Sequence, residues 1–148
     1  MTADGSEPQP PAVPDPEAIR ELSDASLLVR MGIEILEASA LRVVARMPVA
    51  GNTQPYGLLH GGASAVLAET VGSIGSAIHA GLGSRIAMGI ELNCTHHRAA
   101  TEGFVMAVAT PLSLGRTLAT WDIAISDEQG RRICTSRLTC LLRDSPSG

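Results

Sequence analysis

Aromatic residues are almost missing from this chain. Trp121, Tyr56 and Phe104 are the only three in 148 residues, 2% of the total, while hydrophobic residues make up 45%. The core must therefore be aliphatic, and the stacking surfaces that single-stranded nucleic acids need are absent. There is no excess of positive charge either. The formal net charge is −4, so the electrostatic footprint of a nucleic-acid binder is lacking. No run of 18 apolar residues occurs, which excludes a helical membrane span. Residues 1–17 lack the charged-then-apolar plan of a secretory signal. Cysteines number three, and Cys134 and Cys140 lie roughly 20 Å apart if their segment is extended, too far to bridge. Reduced thiols and a cytoplasmic location are the expectation.

Against these absences stands one informative stretch, residues 54–73. Asn52, Pro55 and Gly57 form turns, and His60-Gly61-Gly62 leads into a proline-free run that continues to about Ala80, where Gly81 and Gly83 end it. Leu67, Val71, Ile74 and Ile78 recur at helical spacing. A second stripe, Gly61, Ala65, Ala68, Gly72, Gly75 and Ser76, consists of small residues. Each interior glycine costs a helix about 1 kcal/mol relative to alanine, so something is expected to pack very close to this face: a sheet wrapped around the helix, or its own symmetry mate.

Two features of the helix are chemical. Gly61 and Gly62 present unpaired backbone N–H groups at its positive end, a ready oxyanion site. Glu69 and Ser73, four residues apart, share a face further along. His60 and Glu69 are nine residues apart and at about 100° per residue point to opposite sides. If both serve one site, they come from different subunits, which predicts an oligomer.

The length suits one domain and not two. Residues 1–16 hold five prolines and read as a disordered leader, 17–143 as the single domain, and 144–148 as a polar tail. Within the domain, residues 17–29 are expected to form a short helix. Met31–Leu36 and Leu41–Met47 read as strands, with a turn near Ala38–Ala40. After Ser84 the period becomes two: Ile86, Met88, Ile90, Leu92 and Cys94 face one way, and Ala87, Gly89, Glu91, Asn93 and Thr95 the other. Phe104–Val108 and Trp121–Ile125 continue as strands on either side of a loop at 111–117. Asp127-Glu-Gln-Gly130 makes a hairpin, and the last strand runs from about Arg132 to Arg143. The sum is an α+β domain, about six mostly antiparallel strands in a meander wrapped around one long central helix.

The segment Gln54…Gly57-Leu-Leu-His60-Gly61-Gly62-Ala-Ser64…Glu69…Ser73 resembles hotdog-fold acyl-CoA thioesterases, in the phenylacetate-type branch that includes 4-hydroxybenzoyl-CoA and 1,4-dihydroxy-2-naphthoyl-CoA thioesterases. The likeness extends through Gly89-Ile-Glu91-Leu-Asn93, His96-His97-Arg98, Pro111–Arg116 and Ser136–Thr139. The helix acid is glutamate in that branch, as here, and aspartate in related ones. The resemblance implies hydrolysis of an aryl- or acyl-CoA thioester at a site spanning a dimer interface. Glu69 would be nucleophile or general base, the Gly61 N–H the oxyanion donor, Gln54 and His60 would position the thioester, and Ser73 would assist the water. CoA would lie against Gly89, His96, His97, Arg98 and the run Ser113, Leu114, Gly115, Arg116 and Thr117, with Arg98 and Arg116 suited to its phosphates. The resemblance further implies a homotetramer built as a dimer of dimers, with no metal and no cofactor beyond the CoA of the substrate.

Structural readings stand beside these. Glu69 could be a buried acid paired with arginine, His60 a plain helix cap, Ser73 a packing residue and the small stripe packing alone. His96-His97 beside Cys94 invites a metal, but neighbours in a strand point to opposite faces and no ligand set has zinc spacing. Cys94 has no base at nucleophile spacing. A hotdog dehydratase needs an acid–histidine motif that is not apparent. A non-catalytic acyl-CoA-sensing module is the alternative, and Glu69 argues against it.

Overall fold

The computed structural model describes residues 26–145; the predicted leader, most of the 17–29 helix and the end of the polar tail lie outside them. A single helical turn, α1 (Leu27–Arg30), precedes β1 (Glu34–Ala38) and β2 (Val43–Pro48). The long helix α2 (Gly61–Ala80) follows, then β3 (Arg85–His96), β4 (Phe104–Leu114), β5 (Leu118–Asp127) and β6 (Arg132–Asp144). The six strands form one antiparallel sheet in the order β1-β2-β4-β5-β6-β3, with α2 packed against it, so the α+β expectation holds. Only β4-β5-β6 is a true meander. β3 joins β6 at the far edge because α2 carries the chain across the sheet before β3 begins. The first strand starts later than its apolar pattern predicts: Met31 caps α1 and Gly32 has a φ of 66°, so extended structure begins only at Glu34.

The helix buries Ala63, Ser64, Leu67, Ala68, Val71, Gly72, Gly75 and Ser76. These form two columns at four-residue spacing. The small stripe is therefore half of the buried face, while Ile74 and Ile78 from the apolar stripe are only half-buried. The reason is what the sheet brings up. A Cβ on Gly72 would lie 2.5 Å from Leu138 Cδ2, and one on Gly75 would lie 2.6 Å from Trp121 Cζ2. Trp121 is fully buried and its Nε1–H donates to Ser76 Oγ at 2.8 Å. Around this wedge the core is aliphatic: Val43, Ala45, Met47, Val105, Ile123, Ile125 and Leu138 are all fully buried.

Strand β3 departs from strict alternation. Its register against β6 shifts between Gly89 and Glu91, leaving Ile90 as the extra residue of a bulge. Before the bulge Ala87 and Gly89 sit opposite Leu142 and Cys140; after it Leu92 and Cys94 sit opposite Leu138 and Ser136. Ala87, Leu92 and Cys94 all pack on the core, whereas Ile86, Met88 and Ile90 are exposed. The bulge has exchanged the faces.

Cys134 and Cys140 are buried free thiols. Burial pushes both above their ordinary value of 9.0; a hydrogen bond with Ser136 opposes this at Cys134, and bonds with Ser76 and Ser73 oppose it at Cys140. A raised folded-state pKa means that folding favours the protonated thiol. That stability is complete below about pH 9 and is lost as pH rises through the folded-state values. We expect Tm to hold steady up to about pH 8.5 and fall above it, with a shallower fall in Cys134→Val/Cys140→Val. An alkaline limb of the same slope in both proteins would refute this. Among the described residues no helix is long and apolar enough to cross a membrane.

Candidate active site

The loop before α2 is held by its backbone. Gln54 N donates to Leu58 O at 2.8 Å, His60 N to Asn52 O at 2.9 Å and Leu59 N to Ala100 O at 2.8 Å, while Asn52 Nδ2 reaches Met31 O and Pro48 O. Gly57 closes the turn at a φ of 77°. The chain thus enters α2 at a fixed angle, with His60 as N-cap. Its Nδ1 accepts from Gly62 N at 2.8 Å, which assigns the proton of the neutral ring to Nε2. His60 is therefore a cap, and its Nε2 makes no hydrogen bond among the described residues. The Gly61 N–H makes no hydrogen bond among the described residues, as the oxyanion reading requires.

His96 closes this end. A Cβ on Gly61 would lie 3.0 Å from His96 Nε2, so the imidazole rests on the helix start. Gln54, Gly61, Ser64, His96, His97 and Arg98 line one cavity of about 380 Å³. His97 points the other way from His96, its Nε2 lying 3.0 Å from Thr135 Oγ1. Ser64, 1% exposed, belongs to the segment that carries the resemblance but was given no role from the sequence; its position four residues after His60 in the first turn was the available signal. No cluster of three metal-ligating side chains occurs among the described residues.

Glu69 lies two turns further along, half-buried. Ser73 Oγ donates to its Oε1 at 3.3 Å. Beneath the carboxylate is the backbone of Gly89, where an added Cβ would lie 2.9 Å from Glu69 Cδ and 3.1 Å from Oε2. Cys140, paired with Gly89 across the sheet, completes this floor. Its thiol is raised first by burial and further by the Glu69 charge.

One chain does not bring all the candidates together. Gly61 and Glu69 are separated by eight residues of the same helix, about 12 Å along its axis. Gly89 belongs to Glu69 and not to the His96–Arg98 cavity. Ser113 and Leu114 are strand residues of β4, so the predicted loop shrinks to Gly115–Thr117. That turn lies at the C-terminal end of α2, where His79 Nε2 is 3.0 Å from Gly115 O. Arg98 and Arg116 are both exposed, and neither joins an ion pair among the described residues. The parts fall into two groups: an oxyanion end with Gln54, His60, Gly61 and His96–Arg98, and an acid end with Glu69, Ser73 and Gly89.

Comparison with known proteins identifies the family. Residues 56–134 fit the family model of the thioesterase superfamily. The proofreading thioesterase EntH of Cronobacter turicensis is 47% identical over 124 residues, 83% of this chain and 90% of that protein. Thioesterase HI1161 of Haemophilus influenzae superposes with a TM-score of 0.84 at 34% identity, over 91% of this chain and 94% of that one. A glutamine-to-alanine variant of thioesterase PA1618 from Pseudomonas aeruginosa gives 0.87 at 36% identity, over 92% and 99%.

Proposed function

For a chain that belongs to the thioesterase superfamily and has the hotdog fold of a thioester hydrolase, we propose hydrolysis of acyl- or aryl-CoA thioesters at a site shared by two subunits. One observation carries this reading. The oxyanion donor and the acid occupy one helix, about 12 Å apart, so an antiparallel pairing of two such helices sets each donor against the partner's acid. Strand β3 supports the pairing: it is a 12-residue sheet edge, and it exposes Ile86, Met88 and Ile90. A long apolar edge of this kind is a template for another strand.

In the composite site the thioester carbonyl oxygen lies at the Gly61 N–H, between Gln54 and the free Nε2 of His60. Glu69 of the opposing subunit, with Ser73 beside it, removes a proton from water as the hydroxide adds to the carbonyl, or adds to it directly and is then hydrolysed off. Negative charge gathers on the carbonyl oxygen, where the N–H and the positive end of α2 stabilise it. Collapse expels CoA as its thiolate, a leaving group that needs little acid help. The phosphates of CoA pair with Arg98 and Arg116, the latter from the turn at the far end of a helix, and Gly89, His96, His97 and residues 113–117 line the path between. No metal or separate cofactor takes part, and the assembly is a pair of dimers working in the cytoplasm. Aryl and hydroxylated aryl thioesters are the first substrates to try, medium-chain acyl esters the second. The proofreading name of the EntH relative supports a role in clearing wrongly formed thioesters.

The test is thiol release from such a panel, combined with subunit mixing. Gln54→Ala and Glu69→Gln are each expected to be crippled. Co-refolded in equal amounts they regain activity, because half of random dimers are mixed and each mixed dimer has one intact site, about a quarter of the wild-type sites. No recovery on mixing would place the site within one chain, and no thiol release from any ester would remove the CoA reading.

A further inference from the structure

We propose that Gly89 is a positioning residue for Glu69: by lacking a Cβ beside the Ile90 bulge, it opens the recess into which the carboxylate drops. The proposal rests on Glu69 being the reacting acid.

A glycine in a strand needs a reason, because it weakens the strand. Backbone conformation is not the reason here, since Gly89 is absent from the residues of positive φ. The reason is space, and what fills it is a side chain of the candidate site; the other glycine set against a carboxylate, Gly103 against Glu128, is a turn residue with a φ of 71° that needs glycine for its backbone. At Gly72 and Gly75 the neighbours of an added Cβ are the buried side chains of Leu138 and Trp121. At Gly89 all three nearest atoms, Oε1, Cδ and Oε2, belong to the Glu69 carboxylate. Core glycines make room for core side chains; Gly89 makes room for the acid.

The bulge is what delivers it. In β3 the residues before Ile90 face the helix at odd positions and those after it at even positions. Without the extra residue, Gly89 and Leu92 could not both face inward. Gly89 is thereby held opposite Cys140 in β6, with Glu69 and Ser73 above it on one face of α2. The oxygen crowded most by an added methyl is Oε1, the one that accepts from Ser73 Oγ. Oε1 is thus the anchored oxygen and Oε2, which accepts no hydrogen bond among the described residues, is the one presented to water or carbonyl.

A carboxylate at the end of a flexible side chain can give way, so Gly89→Ala folds and the cost appears in chemistry. A displacement of about 1 Å is worth roughly 10²-fold in rate. We expect Gly89→Ala to lower kcat by about 10- to 100-fold with KM changed less than about threefold. The Gly89→Ala/Glu69→Asp pair gives the decisive reading. Aspartate is one methylene shorter and no longer meets the added methyl. Glu69→Asp is therefore harmful in the wild-type background but neutral or beneficial in Gly89→Ala.

The proposal is overturned by a wild-type kcat in Gly89→Ala, by independent multiplication of the two losses, or by a Gly89→Ala chain that does not fold. A raised KM at unchanged kcat would also overturn it, assigning Gly89 to CoA contact alone. Glu69→Gln in the same assay separates the two levels. If it keeps full activity, Glu69 is not the acid; if it is inactive while Gly89→Ala is unimpaired, only the positioning role fails.

Discussion

Glu69→Gln is expected to lower kcat for thiol release by about 10²–10⁴-fold, the range for loss of a general base, and to leave KM and Tm nearly unchanged. Glutamine preserves size and shape. It still accepts from Ser73, whose hydroxyl donates to Oε1 at 3.3 Å, and it still fills the recess over Gly89. The half-buried position carries no ion pair among the described residues, so no partner charge is stranded by the change. What disappears is the ability to take a proton or form an acyl bond. The oxyanion end is untouched, so a residue of activity above the uncatalysed rate remains, as one such donor is worth about 10²–10³. The two roles of the acid also separate here. With substrate in excess, a nucleophilic Glu69 whose anhydride is hydrolysed more slowly than it forms gives a burst of thiol ahead of steady turnover, and a single-step general-base attack gives none. Activity within a few-fold of wild type in Glu69→Gln would show that some other group performs the chemistry.

The acid end was legible for a local reason. Glu69 and Ser73 are one helical turn apart, and no tertiary knowledge is needed to place them together. The helix itself follows from its glycine boundaries and unbroken run, and the structure begins it at Gly61 and ends it at Ala80, as a start at Gly61-Gly62 and an end at about Ala80 anticipate. The opposite-faces argument for His60 and Glu69 is likewise geometry that the sequence contains. The floor under Glu69 was not legible, because Gly89 and Cys140 are distant in sequence and meet only through the register of β3 on β6. That register includes a bulge, and a bulge depends on the partner strand. Strict alternation from Ile86 to Thr95 therefore assigned Ile86, Met88 and Ile90 to the same face as Leu92 and Cys94. The same cause extended the loop at 111–117: Pro111, Ser113 and Leu114 pair with Trp121, Thr120 and Ala119, which proline and glycine nearby conceal.

The small-residue stripe was legible as close packing without its partner, and that partner sets the largest loss of stability. Trp121→Ala should cost about 3–5 kcal/mol. The indole is fully buried, occupies the groove left by Gly75 and satisfies the buried hydroxyl of Ser76 through a 2.8 Å hydrogen bond. Removing it opens a cavity between helix and sheet and leaves that hydroxyl without its donor. The converse change is sharper in logic. Gly75→Ala should stabilise an isolated helix by about 1 kcal/mol. In this protein its methyl would lie 2.6 Å from Trp121 Cζ2 and 3.0 Å from Cζ3. The ring cannot retreat without stretching its bond to Ser76, so overpacking, typically about 1–3 kcal/mol, outweighs the propensity gain. Trp121→Phe removes the part of the ring that meets the methyl, and Gly75→Ala/Trp121→Phe should therefore be more stable than the two single changes sum to, the coupling expected of residues in contact. Urea unfolding at one fixed protein concentration measures all four proteins, since association adds to apparent stability. If Gly75→Ala gains the full helical increment, the indole is not pressed against α2 and the close approach that the small residues serve lies elsewhere.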